Sequence, residues 1–348
     1  MRVHQLLCAA GPVDAVTQQG LACRRLFSGW GWDGQDYAEV LAPDMDRRVI
    51  RRGRELEPDS HDALLIHYSG YAPGIERVVE MPSPTLLISH NITPARFFWA
   101  LEPVEGVRCA LAPTQLADLA RRVKVAAGVS EYNAADLRAA GATNVQVIPI
   151  LFQRERLGDP GPDPPPGPPT IMFVGRLAPH KRQDLIIRAF GLYRRERAPD
   201  ARLVLVGVAS SPRFERALRQ LAAEVAPSAV TIESAIPAER LWEHYRSAHA
   251  FVCLSEHEGF CIPLLEAFHF GVPVVARPAA GIPEVAGDAA LLVEPDDLAV
   301  IAELIHLAVT DRELRAELAR RAQMRLDSYA YERTAQRLRD TLEGLVAA

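Results

Sequence analysis

The sequence predicts an α/β protein built from two doubly wound, parallel-sheet domains. Three observations carry that expectation. At 348 residues, the chain exceeds the length of about 250–300 residues at which single cores stop growing. Residues 159–169 read DPGPDPPPGPP, and seven of those eleven are proline, so neither a helix nor a central strand can form there. On both sides of this stretch short apolar runs alternate with amphipathic ones, the pattern of a parallel sheet with crossover helices. The expected organisation is a first domain over 1–155, a stiff proline-rich linker over 156–169 and a second domain over 170–326. A C-terminal helix over 327–348 is expected to pack back toward the first domain.

In the first half, residues 3–9 read as a buried strand and 15–27 as a helix. Apolar runs at 63–67, 85–89, 125–129 and 145–150 follow as strands, with helices between them. One of those helices covers 133–140, with Gly141 as its C-terminal cap. In the second half the strands fall at 171–174, 202–206, 230–232, 250–254, 272–276 and 290–293. Helices occupy about 181–195, 213–225, 238–248 and 262–270. Beyond about residue 296 the pattern is purely helical, in three segments near 297–309, 311–326 and 329–346. Doubly wound sheets bind ligands beyond the carboxyl ends of their strands. Two such domains facing one another make a central cleft of the kind ligands occupy.

Composition narrows the function. A formal net charge of -5 argues against a general nucleic-acid binder. The longest apolar runs, such as 63–66 and 84–88, fall far short of the roughly 18–20 residues that span a bilayer. The opening MRVHQLLCAA has the look of a first strand and not of a signal peptide. Five scattered cysteines, Cys8, Cys23, Cys109, Cys253 and Cys261, form no CxxC pair and argue for free thiols in a reducing compartment. The expected location is the cytoplasm, with at most peripheral contact at the inner membrane face.

The densest chemical signal runs from Ser255 to Ala267, SEHEGFCIPLLEA. It follows the strand AFVCL and opens a helix near Ile262, with Pro263 suited to the first turn. The amides of Gly259, Phe260 and Cys261 then lie at a helix N-terminus, where a phosphate is stabilised. Glu258 falls in the loop and Glu266 one to two turns into the helix. One carboxylate can hold a sugar hydroxyl and the other a ribose diol; the plainer reading is two surface glutamates eight residues apart.

A second signal, FVGRLAPHK over residues 173–181, follows the first strand of the second domain. Gly175 permits a tight turn, and Arg176 and Lys181 can converge on one anion. The plainer alternative is a solvated pair on a loop. A diphosphate leaving group gains charge as its bond breaks, and with no metal site visible in the sequence, cations of the protein must answer it. At roughly 1.5–3 kcal/mol per charge-assisted hydrogen bond, two such residues and a helix end supply about 4–8 kcal/mol. That is part of the roughly 8–23 kcal/mol enzymes need.

GRLAPHK, followed by SEHEGFCIPLLEAFHFGVPVVA and GIPEVAGDAALLV, resembles the retaining glycosyltransferases of family 4, the "group 1" transferases of the GT-B fold. The resemblance covers most of residues 170–310. It implies transfer of a hexosyl unit from a nucleotide-diphosphate sugar to a glycan or lipid-linked acceptor, with retention at the anomeric carbon, no metal and no other cofactor. It implies that Arg176 and Lys181 bind the donor diphosphate. Glu258 would meet the donor sugar with help from the Gly259–Cys261 backbone, and Glu266 would bind the ribose. One departure is Cys261, where the family usually has glycine; a side chain there would narrow the pocket or alter the loop. The second domain would hold the donor and the first the acceptor.

The first half carries a weaker likeness. Gly11, in GPVDAV, takes the place of a family loop whose glycines approach the donor phosphates. His90, in SHNITP, ends a strand, and in similar enzymes a histidine there lies beside the reacting sugar. The competing view of His90 is a hydrogen-bonded structural histidine beside a capping Asn91 or Thr93. His67 also stands at a strand end, and Ser130–Glu131 reads as the N-cap of the next helix. Ile236 neighbours the base by position alone.

Other patterns carry less. Residues 29–34 spell GxGxxG, yet follow a helix and not a strand. His257-Glu258-x-x-Cys261 lacks the second histidine of a zinc motif. The arginines at 47, 48, 51, 52 and 54 are diluted by Asp44, Asp46, Glu55 and Glu57 and read as a solvated face. So do Arg121, Arg122 and Lys124. Two other functions fit the fold: a nucleotide-sugar epimerase, and a subunit that binds nucleotide sugar without turnover.

Overall fold

The computed structural model describes residues 1–161, 167–294 and 297–347. Part of the expected linker, residues 162–166, lies outside the described residues. The chain divides into two compact units, one holding Met1–Trp99, Pro103–Leu151 and the C-terminal helix, the other Ala100–Glu102 and Phe152–Ala330. The division thus falls four residues before the expected 155, and the returning segment begins at Tyr331 and not at 327.

The first unit runs β1 (Arg2–Ala10), α1 (Ala15–Gly29), β2 (Asp36–Leu41), β3 (Ile50–Arg52), β4 (Asp62–Tyr68) and β5 (Thr85–Ser89). It continues through α2 (Pro103–Arg122), β6 (Val125–Gly128), α3 (Glu131–Ala139) and β7 (Val145–Val147). Its seven strands lie in the order β3-β2-β1-β4-β5-β6-β7, all pairings parallel. Every residue of β4 is buried, as expected for a central strand covered on both faces. Leu6, Leu64, Ile66 and Leu87 pack with Leu116, Leu119 and Leu137 of the covering helices. Ser130 caps α3 by accepting from the Asn133 amide, the role its position predicts. The GxGxxG stretch closes α1: Trp30 and Trp32 pack edge-on at 4.7 Å beside Phe27, a structural cluster.

The second unit runs β8 (Thr170–Val174), α4 (Gln183–Glu196), β9 (Arg202–Val206), α5 (Pro212–Val225), β10 (Val230–Glu233), α6 (Ala238–Ser247) and β11 (Ala250–Cys253). Then come α7 (Ile262–His269), β12 (Val274–Ala276), α8 (Ile282–Ala286), β13 (Ala290–Leu292), α9 (Leu298–Thr310) and α10 (Arg312–Ser328). Its six strands are ordered β10-β9-β8-β11-β12-β13, again parallel. The winding direction reverses between β8 and β11, and between β1 and β4 in the first sheet. At such switch points the loops diverge and leave room for a ligand. The last helix, α11 (Tyr331–Ala347), joins the first unit, where it packs over β4 and β5. Its Arg337 donates to the Val147 carbonyl at 2.8 Å and Thr341 to Gln146 Oε1 at 2.8 Å. Among the described residues no helix is long and apolar enough to cross a membrane.

Candidate active site

In the second unit, the two motifs leave the carboxyl ends of β8 and β11, the neighbours at the switch point. The first loop begins at Gly175, whose φ of +148° favours glycine. Gly207, at the end of β9, is equally constrained: a Cβ there would stand 1.9 Å from the Gly175 carbonyl oxygen. The loop then passes through exposed Arg176, whose carbonyl accepts from Gln183 Nε2 at 3.1 Å, to Lys181. The second loop runs Leu254–Cys261 into α7, with Pro263 in the first turn.

Three contacts tie the loops together. The Glu256 amide donates to the His180 carbonyl at 2.7 Å. Arg182 Nη1 donates to Glu256 Oε1 at 2.5 Å. Lys181 Nζ lies 2.5 Å from Glu258 Oε2, with both side chains nearly buried. Burial is the largest single influence and pulls the Lys181 ammonium down, but the Glu258 carboxylate and the nearby Cys261 and Cys253 together outweigh it, so its pKa is raised. Lys181 therefore stays charged, held by a partner that Ser255 Oγ also engages, donating to Glu258 Oε1 at 2.9 Å. His180, buried beside them, is pushed down to about 2 by burial and by Lys181, so it adds no charge.

Cys261 stands at the N-cap of α7 with φ +71°, the left-handed region that L side chains enter at a cost of about 1–2 kcal/mol. The resemblance places a glycine at that position, and the backbone supplies the reason. Its Sγ lies 3.8 Å from Cys253 Sγ. Gly281, at the start of α8, fits under the loop because a Cβ would approach the Gly259 carbonyl oxygen to 2.4 Å. The Gly281 amide donates to the Glu258 carbonyl at 2.9 Å. Phe260 is buried and meets Tyr329 edge-on at 5.2 Å. One turn into α7, Glu266 Oε2 accepts from the Tyr245 hydroxyl at 2.7 Å; burial, opposed by that bond, raises its pKa to about 7. Ile236 is half-buried in the connection from β10 to α6.

Cys253, Glu258 and Cys261 bring one potential metal ligand each to within 4.8 Å of one another. The carboxylate of that trio already holds the Lys181 ammonium, which a cation would have to displace against like-charge repulsion.

The first unit places its candidates at its own switch point. Gly11 follows β1; its amide donates to Thr17 Oγ1 at 3.1 Å, and a Cβ there would make only an ordinary contact with Ala42. Asp14 caps α1 by accepting from the Thr17 amide. His90 follows β5, and its Nε2 lies 2.9 Å from His67 Nδ1 on β4. His67 Nε2 lies 2.8 Å from Gln5 Oε1 on β1. Burial holds His67 well below the usual imidazole range and His90 near 3. The capping view of this stretch is not what forms: the turn Ala95–Phe97 starts after Pro94 with no side-chain cap. Asn91, at φ +118°, instead accepts at Oδ1 from Asn133 Nδ2 at 3.4 Å.

Sequence reasoning missed Tyr245, Ser255, Arg182 and Glu256 as partners, and it missed Gln5. Gln5 is joined by strand register, Arg182 to Glu256 by contact between loops and Tyr245 to Glu266 by contact between helices, none of which local pattern shows; Ser255 lies only three residues before Glu258, in the same loop.

The fold and these loops define the class: two parallel-sheet, Rossmann-like α/β domains of the GT-B type. Residues 159–325 match the family model described as Glycosyl transferases group 1. The chain is 28% identical over 338 residues to D-inositol 3-phosphate glycosyltransferase of Nocardia farcinica, an alignment spanning 92% of this chain and 74% of that protein. It is 32% identical over 187 residues to the GDP-mannose-dependent alpha-(1-6)-phosphatidylinositol monomannoside mannosyltransferase of Mycolicibacterium smegmatis, which spans about half of each chain, 51% and 48%. Among solved structures it is similar in fold to sucrose-phosphate synthase from Thermosynechococcus elongatus, with a TM-score of 0.79, 17% identity and full coverage of both chains.

Proposed function

We propose that the chain is a retaining, metal-independent glycosyltransferase that moves a hexosyl unit from a nucleotide-diphosphate sugar to a glycan or lipid-linked acceptor. The observation that carries this reading is the nearly buried Lys181–Glu258 pair, 2.5 Å apart, where two switch-point loops meet at the start of α7. A buried ammonium of raised pKa is a fixed positive charge, suited to an anion that grows during reaction. The names of the similar proteins, a glycosyltransferase and a mannosyltransferase, support the same chemistry.

In this reading Arg176 and Lys181 take the diphosphate, beside Gly175 and the Gly259–Cys261 main chain. Glu258 holds the sugar, Glu266 the ribose, and Ile236 neighbours the base. His90 meets a substrate hydroxyl. The acceptor hydroxyl attacks the anomeric carbon on the face from which the diphosphate leaves. The bond to the leaving oxygen breaks as the new one forms, and the departing phosphate takes the hydroxyl proton. No protein nucleophile is needed. The five free thiols support a reducing, cytoplasmic setting, with peripheral membrane contact for a lipid-linked acceptor.

The test is turnover of UDP-glucose and GDP-mannose, read as nucleoside diphosphate released. Lys181→Ala lowers it by about 10²–10³, the size expected for one lost group that stabilises developing charge. Near-normal turnover in that variant defeats the assignment. Proton NMR of the glycoside product is expected to show the donor's anomeric configuration.

A further inference from the structure

The histidine pair of the first unit is the end of a longer chain of hydrogen bonds. Gln5 Nε2 lies 2.8 Å from Asp36 Oδ1 and 3.0 Å from the Gly20 carbonyl. Both partners only accept, since Asp36 is a carboxylate held in turn by Arg24 at 2.7 Å. Gln5 Nε2 must therefore be the amide nitrogen, and Gln5 Oε1 must be an acceptor. His67 Nε2, facing that oxygen at 2.8 Å, must carry a hydrogen.

A neutral imidazole carries one hydrogen, so His67 Nδ1 presents a lone pair to His90. The 2.9 Å bond between them then requires the hydrogen on His90 Nε2. His90 Nδ1 is left bare. It is buried and has no hydrogen-bond partner among the described residues. Strand register explains the line. Gln5 pairs with Asp36 across β1 and β2, and Gln5 also pairs with Leu65, two residues before His67 on the same face of β4. His67 in turn pairs with Ile88, two residues before His90. Gln5 and His67 are fully buried and Asp36 nearly so, so bulk water does not compete for these bonds.

We propose that Gln5 and His67 are positioning residues that fix the tautomer of His90, so that its Nδ1 accepts a hydrogen bond from a hydroxyl of the sugar substrate. The proposal rests on the reading of the chain as a glycosyltransferase with His90 facing substrate. It adds a reason why two buried polar groups with no substrate contact are required. An Nδ1 lone pair orients a hydroxyl by accepting its hydrogen; the opposite tautomer would present a donor and turn that hydroxyl around. Removing the group that orients a metal-ligating histidine costs about 10–100-fold, and a loss of that order is expected here.

The experiment uses the full chain labelled with ¹⁵N-histidine and long-range ¹H–¹⁵N correlation, which reads which ring nitrogen carries hydrogen. His67 and His90 are expected to show hydrogen on Nε2 alone, and addition of UDP-glucose or GDP-mannose is expected to move the His90 Nδ1 resonance. Hydrogen on His90 Nδ1 would overturn the relay whatever the activity. His67→Leu is expected to lower kcat/KM about 10–100-fold. His67→Asn, whose Oδ1 can accept in place of Nδ1, is expected to recover most of that loss. Equal loss in both variants, or loss in neither, would reduce His67 to a packing residue and overturn the proposal. Absence of turnover by the unmodified chain would instead sink the transferase reading, and the tautomer spectrum separates that failure from failure of the relay.

Discussion

Glu266 shows how one residue ties α7 to pH. Burial raises its folded pKa to about 7, against about 4.3 for a free glutamate. A raised pKa means that the folded chain binds more protons than the unfolded one across that window. The stabilisation is complete below the unfolded value and is lost as pH rises through about 7. Glu266→Gln should flatten the dependence of melting temperature on pH between about 4.3 and 7, while keeping an acceptor for the Tyr245 hydroxyl. An unchanged pH dependence would place the titration elsewhere. The sequence made Glu266 visible as a carboxylate beyond a loop–helix junction. It hid Tyr245, which is twenty-one residues upstream and reaches Glu266 because α6 lies against α7.

Among the elements, α8 is seated by a close backbone approach at its N-cap, Gly281. Gly281 precedes it with ordinary backbone angles, φ -77°, so alanine would bring no conformational strain. The obstacle is steric: the new Cβ would lie 2.4 Å from the Gly259 carbonyl oxygen, a backbone atom that cannot swing aside. Gly281→Ala should therefore push the Glu258–Cys261 loop from its place, cost about 1–3 kcal/mol as overpacking does, and lower donor affinity. A thermal melt and a donor titration check both, and unchanged affinity would show that the loop does not form the site. Element prediction matched β5 and β9 in full at residues 85–89 and 202–206, but the longer run at 145–150 and the run at 272–276 yield strands of only three residues, Val145–Val147 and Val274–Ala276. It missed β2 and β3, whose DYAEVL and IRR interleave charges, and α8, a single turn with proline in its second position. β13 is shorter than its apolar run by one residue.

For the whole molecule, α11 is the element that returns across the sequence. Leu338, Leu342 and Leu345 are buried in the first unit, and each contributes about 1.5–3 kcal/mol. Their sum, roughly 5–9 kcal/mol, rivals the whole stability of about 5–15 kcal/mol typical of a domain. Ending the chain at Ala330 should abolish cooperative unfolding of the first unit, seen as loss of its transition in calorimetry; a retained transition would contradict this. The two-unit pattern was legible because both sheets are parallel and read as apolar runs. An amphipathic pattern shows that one face of α11 is buried but not against which unit, and its starting residue, Tyr331 and not 327, was not legible either. The Gln5–His67–His90 line was hidden, because it exists only once β1, β4 and β5 take their register.

In the proposed function, Arg176, Lys181 and the start of α7 hold the diphosphate without a divalent ion. Calorimetric titration of UDP and GDP in excess EDTA tests it most directly. The unmodified chain is expected to bind one of them with affinity indifferent to the chelator, and Arg176→Ala and Lys181→Ala are each expected to weaken it about 10–100-fold, the value of one charge-assisted hydrogen bond. Binding lost on chelation, or undiminished in both variants, would rule out a protein-only diphosphate site.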